Sequence, residues 1–203
     1  MKLFLNAVML LGTVWATTVF ASGSPKRKAD SHQFEIVGIT LGTSTDGDVQ
    51  RVLGVAPTRE SGEHGIDHRC YASPNDRDDT VLDIGSWTDP VEFSVSAVRD
   101  RARLQCVRSD LVSSSIATSA GLKLGLAKKD VIALLGRPTK IQGSRFIYDW
   151  SYDRPLTSSE RHGIRKHGGP PWEVKSIGVY ALIQIDFTHS QVSAFKASFS
   201  ETE

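Results

Sequence analysis

Cysteine is nearly absent from this 203-residue sequence. Cys70 and Cys106 are the whole complement, far apart and with no Cys-x-x-Cys arrangement, which excludes a dithiol redox motif. An excess of charge of one sign is missing too. With 24 Lys and Arg against 23 Asp and Glu, the formal net charge is +1, and no global electrostatic signal points to nucleic acid. No Gly-x-Ser-x-Gly elbow, Walker loop or Gly-x-Gly-x-x-Gly occurs. His64 and His68, flanked by Glu63 and Asp67, have the i, i+4 spacing of a helical metal pair, but Gly62 and Gly65 weaken a helix there. No third ligand is evident, and the Glu is not in the interior place of His-Glu-x-x-His. His162 and His167 read as exposed loop histidines. These absences leave an expectation of no catalysis, no metal and no cofactor.

The N-terminus carries the long apolar run. Met1-Lys2 gives a short positive start, Leu3 to Phe20 is mostly apolar, and Val19-Phe20-Ala21 puts small residues where a signal peptidase reads. Residues 1–21 are read as a secretory signal peptide, with a retained anchor as the competing reading because the segment is nearly long enough to span a bilayer. No cysteine stands near the site to carry a lipid, so the exported chain is expected to be soluble, without stable membrane insertion once the signal is removed. Cleavage takes away one Lys and no acid, moving the formal charge from +1 to 0. Residues 22–33, polar and holding Pro25 and Lys26-Arg27-Lys28, read as a flexible linker.

What the chain does have is an internal repeat. Gly38-Ile39-Thr40-Leu41-Gly42 runs through Thr45, Asp48 and Val49 to Leu53-Gly54 and Pro57. Gly121-Leu122-Lys123-Leu124-Gly125 runs through Ala127, Asp130 and Val131 to Leu135-Gly136 and Pro138. Each copy reads as a short helix with its ends written in. Thr45 can cap the first while Asp48 sits near the positive end of its dipole; Ala127 cannot cap the second. Val49, Val52 and Leu53, and again Val131, Leu134 and Leu135, form one apolar stripe. Gly54 and Gly136 suit a left-handed position after the helix, and Pro57 and Pro138 keep it from continuing.

This pattern, with strands following it, resembles the family of BamE (SmpA/OmlA) and the β-lactamase inhibitor protein. Trp150-Ser151-Tyr152 is similar to the Trp-x-Tyr strand that follows the helix in that family. The resemblance implies an α+β fold of two tandem units, each a helical pair packed on a small antiparallel sheet, here residues 34–110 and 111–203. It also implies a non-enzymatic protein of the envelope or exterior that binds other proteins through projecting loops and a concave sheet.

Alternation supports the strands. Thr80, Leu82 and Ile84 share one side; Val91, Phe93, Val95 and Ala97 alternate with polar residues, as do Ala102, Leu104 and Cys106. In the second unit Phe146, Tyr148, Trp150 and Tyr152 share a face, Ile177 to Phe187 alternate over a long strand, and Val192 to Phe199 completes the sheet. Residues 73–79 have turn chemistry throughout and read as an exposed acidic hairpin tip. Residues 153–175 hold too many Gly and Pro for a regular element and form an unusually long loop.

Two cysteines behind an export signal imply one disulfide, Cys70 to Cys106. The function expected is a non-catalytic exported module that binds a secreted or envelope protein, as an inhibitor or immunity-type protein. An accessory factor in outer-membrane protein assembly is the alternative, and a small periplasmic hydrolase or metal protein the least favoured one. Two charged loops and the sheet face opposite the helices are the candidate contact surfaces. The acidic loop offers Asp76, Asp78 and Asp79; the basic one offers Arg161, Arg165 and Lys166, with Trp172 as an anchor. Nothing in the sequence fixes the oligomeric state.

Overall fold

The computed structural model describes residues 29–61, 65–98, 105–166 and 176–202. The signal peptide read over residues 1–21 lies outside them. The linker read over residues 22–33 is partly structured: Asp30 caps a single 3-10 turn, Ser31–Phe34, and the His32 carbonyl accepts from Ala120 N–H. Buried Phe34 anchors it, so residues 29–33 are held to the folded chain although their polarity reads as linker.

The repeat glycines are turns. Gly38, Gly42, Gly121 and Gly125 all have positive φ, a region open to glycine at little cost. The chain around Gly38 folds into a two-stranded ribbon, β1 (Glu35–Ile36) with β2 (Ile39–Thr40), and Ile36 bridges to Thr118 in the second copy. Helix α1 (Asp46–Leu53) follows. Its capping box is complete: Asp48 N–H donates to Thr45 Oγ1 at 3.2 Å, and Thr45 N–H donates to Asp48 Oδ2 at 2.8 Å. Those bonds, the one from the Thr45 backbone foremost, hold the Asp48 carboxyl below its ordinary 3.8. Helix α2 (Lys128–Leu135) has no side-chain cap, as Ala127 requires. The start of the helix is satisfied from elsewhere, since Lys128 N–H donates to the Ser190 carbonyl at 3.2 Å. Gly54 and Gly136 end the helices with φ of 94° and 82°, but with ψ of 167° and −166° they lie in a region that is essentially glycine's alone rather than in the left-handed helical well.

After each helix come four strands. The first copy supplies β3 (Arg59–Ser61), β4 (Ile66–Ala72), β5 (Thr80–Ser86) and β6 (Pro90–Ala97). The short β7 (Val107–Arg108) pairs with the outer edge of β4. The second copy supplies β8 (Lys140–Gln142), β9 (Arg145–Pro155), β10 (Ser176–Thr188) and β11 (Gln191–Thr202). They form one sheet in the order β3-β4-β5-β6-β11-β10-β9-β8. The two last strands, β6 and β11, meet antiparallel at its centre.

The expected fold of two helical pairs on two small sheets is therefore corrected. Each copy contributes one eight-residue helix at its repeat motif, the second adds the short helix Ser158–Lys166, and both share a mostly β architecture. The chain leading into each repeat motif is turn-rich: Val37, Gly38 and Gly121 have positive φ, and residues 111–116 hold bends and turns. Two half-sheets fuse because each ends on a strand whose edge would otherwise be unpaired.

The duplication is exact enough in register to place an approximate two-fold axis. Ser94 and Lys196, each one residue after an equivalent phenylalanine, face each other across β6 and β11, and Phe93 packs edge-on against Phe195 with ring centroids 6.4 Å apart. Tyr71 of β4 donates to the Gly54 carbonyl at 3.1 Å, and Tyr148 of β9 donates to the Gly136 carbonyl at 3.1 Å. Each buried phenol thus closes an orphan carbonyl at the end of its own copy's helix. At the helix starts the copies diverge. Asp46 pairs with Arg69, whereas Lys128 lies over the rings of Phe146 and Phe187 at 5.7 and 5.3 Å.

One core lies between the helices and the sheet, built on Val49, Leu53, Val131 and Leu135 from the helices and on Leu82, Ile84, Ile183, Ile185 and Phe195 from the sheet. A smaller cluster on the other face joins Cys70, Ala72 and Val81, with Val98 and Cys106 against it. Here the Cys70–Cys106 disulfide is formed, and β5 is buried on both faces as a result. Of the strand read over residues 102–106, residues 102–104 lie outside those described; Gln105 turns with φ of 50° and β7 follows at Val107. No helix among the described residues is long and apolar enough to cross a membrane.

Candidate functional site

Opposite the helices, the sheet presents the side chains that alternate away from the core. Register sets them in rows. One row runs His68, Gly85, Glu92, Ser198, Leu182, Asp149 across six strands. The next runs Cys70, Asp83, Ser94, Lys196, Gln184, Ile147. Toward the other side of the first row lie Ser200, Tyr180 and Ser151. Small residues on β11, Ser198 and Ser200, make the floor low at the centre. Trp87, from the turn between β5 and β6, and Tyr180 stand beside it, 57% and 52% exposed. The result is a cleft of about 370 Å³ lined by Ile66, Trp87, Glu92, Asp149, Tyr180 and Leu182 around those serines. Gly85 is required for it: a Cβ there would lie 2.6 Å from Glu92 Cγ and 2.9 Å from Ile66 Cγ2.

A chain of charges borders the cleft on the first-copy side. Arg59 pairs with Asp83, Asp83 with His68 Nδ1, His68 Nε2 lies 3.7 Å from Glu92 Oε1, and Lys196 Nζ sits 2.7 Å from Glu92 Oε2. Lys196 comes from the second copy, so this network crosses the seam. On the other half of the face, Arg145 grips Asp186 through two bonds of 2.6 and 2.9 Å. The network contains a His between two carboxylates, but no hydroxyl or thiol is hydrogen-bonded to that His, and no group of three or more metal-ligating residues is found among the described residues. Chemically it is a run of alternating charges along the sheet.

The residues singled out in the sequence fall elsewhere. Asp76 pairs with Arg108 at 2.7 Å. Burial works to raise the Asp78 carboxyl, but bonds from Thr80 and from Ser114 (2.7 Å) outweigh it and hold the group below 3.8. The Asp79 carbonyl accepts from Val98 N–H. The acidic turn thus ties β4 and β5 to the connection between the copies. The loop read over residues 153–175 is corrected in part: residues 153–155 still belong to β9, and Ser158–Lys166 forms helix α3. Its start was legible as Thr157-Ser-Ser-Glu160, a capping box in which Thr157 N–H donates to Glu160 Oε2 at 2.6 Å and Glu160 N–H donates to Thr157 Oγ1 at 3.3 Å. Arg154 clamps that helix through Glu160 and Glu201, and its guanidinium, first among these contacts, holds the Glu160 carboxyl down to about 2. Arg161 is exposed on α3, Arg165 and Lys166 lie in its last turn, and Trp172 lies outside the described residues.

The strand aromatics share a face as expected, and that face is the helix side: Phe146 and Tyr148 are buried there, and Trp150 stacks on Tyr148 and meets Phe34 edge-on. The aromatics of the open face are Trp87 and Tyr180, which sequence reasoning passed over. Tyr180 was detectable as the one aromatic on the polar side of the alternation in β10. Fold and face together define a duplicated protein built on one large sheet, with one side not covered by any helix among the described residues. The chain matches no family model, no curated protein and no solved structure.

Proposed function

We propose that this chain is a non-catalytic exported protein-binding module, an inhibitor or immunity-type protein of a secreted or envelope enzyme, working in the bacterial periplasm or outside the cell. One observation carries the reading: the open sheet face centres on two exposed aromatics beside a cleft, with a chain of charges along its first-copy border. That is the anatomy of a binding hot spot with a polar rim. The disulfide supports an oxidising location, and the reading of residues 1–21 as a secretory signal peptide agrees with it. The resemblance of the repeat to the BamE and β-lactamase inhibitor family supports the same class of function.

The test compares the wild-type mature chain with a Trp87→Ala/Tyr180→Ala variant of equal thermal stability, both immobilised and exposed to periplasmic extract of the source bacterium. The wild type is expected to retain a discrete enzyme whose activity falls when free chain is added, and the variant to release it. Equal retention by both proteins contradicts the reading.

A further inference from the structure

We propose that the cleft between Trp87 and Tyr180 receives a lysine or arginine side chain of the protein partner, an inference that rests on the binding reading above. The described lining is apolar and aromatic except for serines and two carboxylates, Glu92 and Asp149; it holds no base. Those carboxylates occupy one row of the sheet with Ser198 and Leu182 between them, three strand spacings or about 14 Å apart. Glu92 is already engaged by Lys196 at 2.7 Å. Asp149 is not: its backbone N–H donates to Thr139 Oγ1 at 3.1 Å, and its exposed carboxylate has no ion pair or hydrogen bond among the described residues.

This lining selects among side chains. An anion meets two carboxylates and is repelled. A purely apolar anchor fits the walls but strips water from Asp149 without replacing it. A Lys or Arg satisfies both parts of the site. Its aliphatic stem lies along Leu182, which is paired with Asp149, its charged head is attracted by the ring faces of Tyr180 and Trp87, and the head reaches Asp149.

The mature chain is titrated with N-acetyl-arginine amide and with its neutral isostere N-acetyl-citrulline amide, reading the indole N–H resonance of Trp87, assigned with Trp87→Phe. The arginine compound is expected to shift that resonance saturably, with affinity roughly threefold weaker in Asp149→Asn and falling with added salt. The citrulline compound is expected to leave it unmoved. Equal shifts from both compounds, or no shift from either, overturn the inference. Partner capture separates the two levels. If Asp149→Asn captures the partner undiminished while Trp87→Ala/Tyr180→Ala does not, the cation pocket fails and the binding face stands. If the double variant captures normally, the face itself was misassigned.

Discussion

Tyr148→Phe removes a single oxygen, and the structure gives that atom two separable consequences. At neutral pH the phenol donates to the Gly136 carbonyl at 3.1 Å, so its loss deletes one largely buried hydrogen bond and leaves a helix-end acceptor without that partner. The expected cost is about 0.5–1.5 kcal/mol. At alkaline pH burial matters instead, because it pushes the Tyr148 phenol from 10.0 up to about 12. The unfolded phenol ionises first, so this contribution is intact below pH 10, declines as pH rises between 10 and 12, and is gone above that. Two pH units of displacement correspond to at most about 2.7 kcal/mol. Urea unfolding followed by circular dichroism from neutral pH to about pH 11 reads both effects. Tyr148→Phe should start lower and fall less steeply on the alkaline side. Tyr71→Phe should repeat the neutral cost, since its bond to Gly54 has the same length, and burial raises its phenol too. If either variant matches the wild type within a few tenths of a kcal/mol with the same alkaline slope, the twin carbonyl clamps carry no weight and the reasoning fails.

Leu53→Ala and Leu135→Ala, 4% and 5% exposed at the ends of the two helical stripes, should each destabilise by about 2–5 kcal/mol in the same unfolding assay. A surface-sized effect at one of them would show that the copies are not equivalent in the core. Both cysteines are paired, so intact mass with alkylation should show no uptake before reduction; reduction opens a link across 36 residues and should cost about 3–4 kcal/mol on the chain-entropy model. Glu160 has its carboxyl lowered from 4.5 to about 2 by Arg154 and Thr157, so its support of α3 is present above 4.5 and lost as pH falls toward 2. Protection of the α3 amides, measured against their intrinsic exchange rates at each pH, should therefore decline progressively as pH falls from 4.5 toward 2; Glu160→Gln should remove that dependence.

The repeat, its helices and most strands were legible because each rested on local chemistry. Thr45 with Asp48, the stripe from Val49 to Leu53 and the alternation in β10 each specify their element with little help from distant residues. Ala127 was legible as a missing cap, but the compensation by Ser190 was not, since that bond joins residues far apart in sequence. The fusion of two sheets into one was hidden for the same reason. Nothing local in Phe93 or Phe195 says that their strands pair with each other rather than with a closing helix. The expected helical pairs rested on the resemblance alone and had no local periodicity behind them. The site escaped because Trp87 sits in a turn and Ser198 and Ser200 read as ordinary polar positions, while the cleft comes from the register that sets them between Glu92 and Tyr180. The acidic turn misled because unpaired charge in a sequence looks available, whereas Asp76 and Asp78 are held by Arg108 and by Ser114.

The central claim is that partners meet the sheet face and not the helices, and photocrosslinking tests it most directly. Benzoylphenylalanine is placed at Ser151, exposed on β9 opposite Tyr180, and in a separate protein at Ile132, exposed on α2. After irradiation in periplasmic extract, the Ser151 position should yield a discrete protein adduct that excess unlabelled chain competes away, and the Ile132 position should yield none. An adduct from Ile132 with none from Ser151 would place the binding surface on the helices and contradict the account.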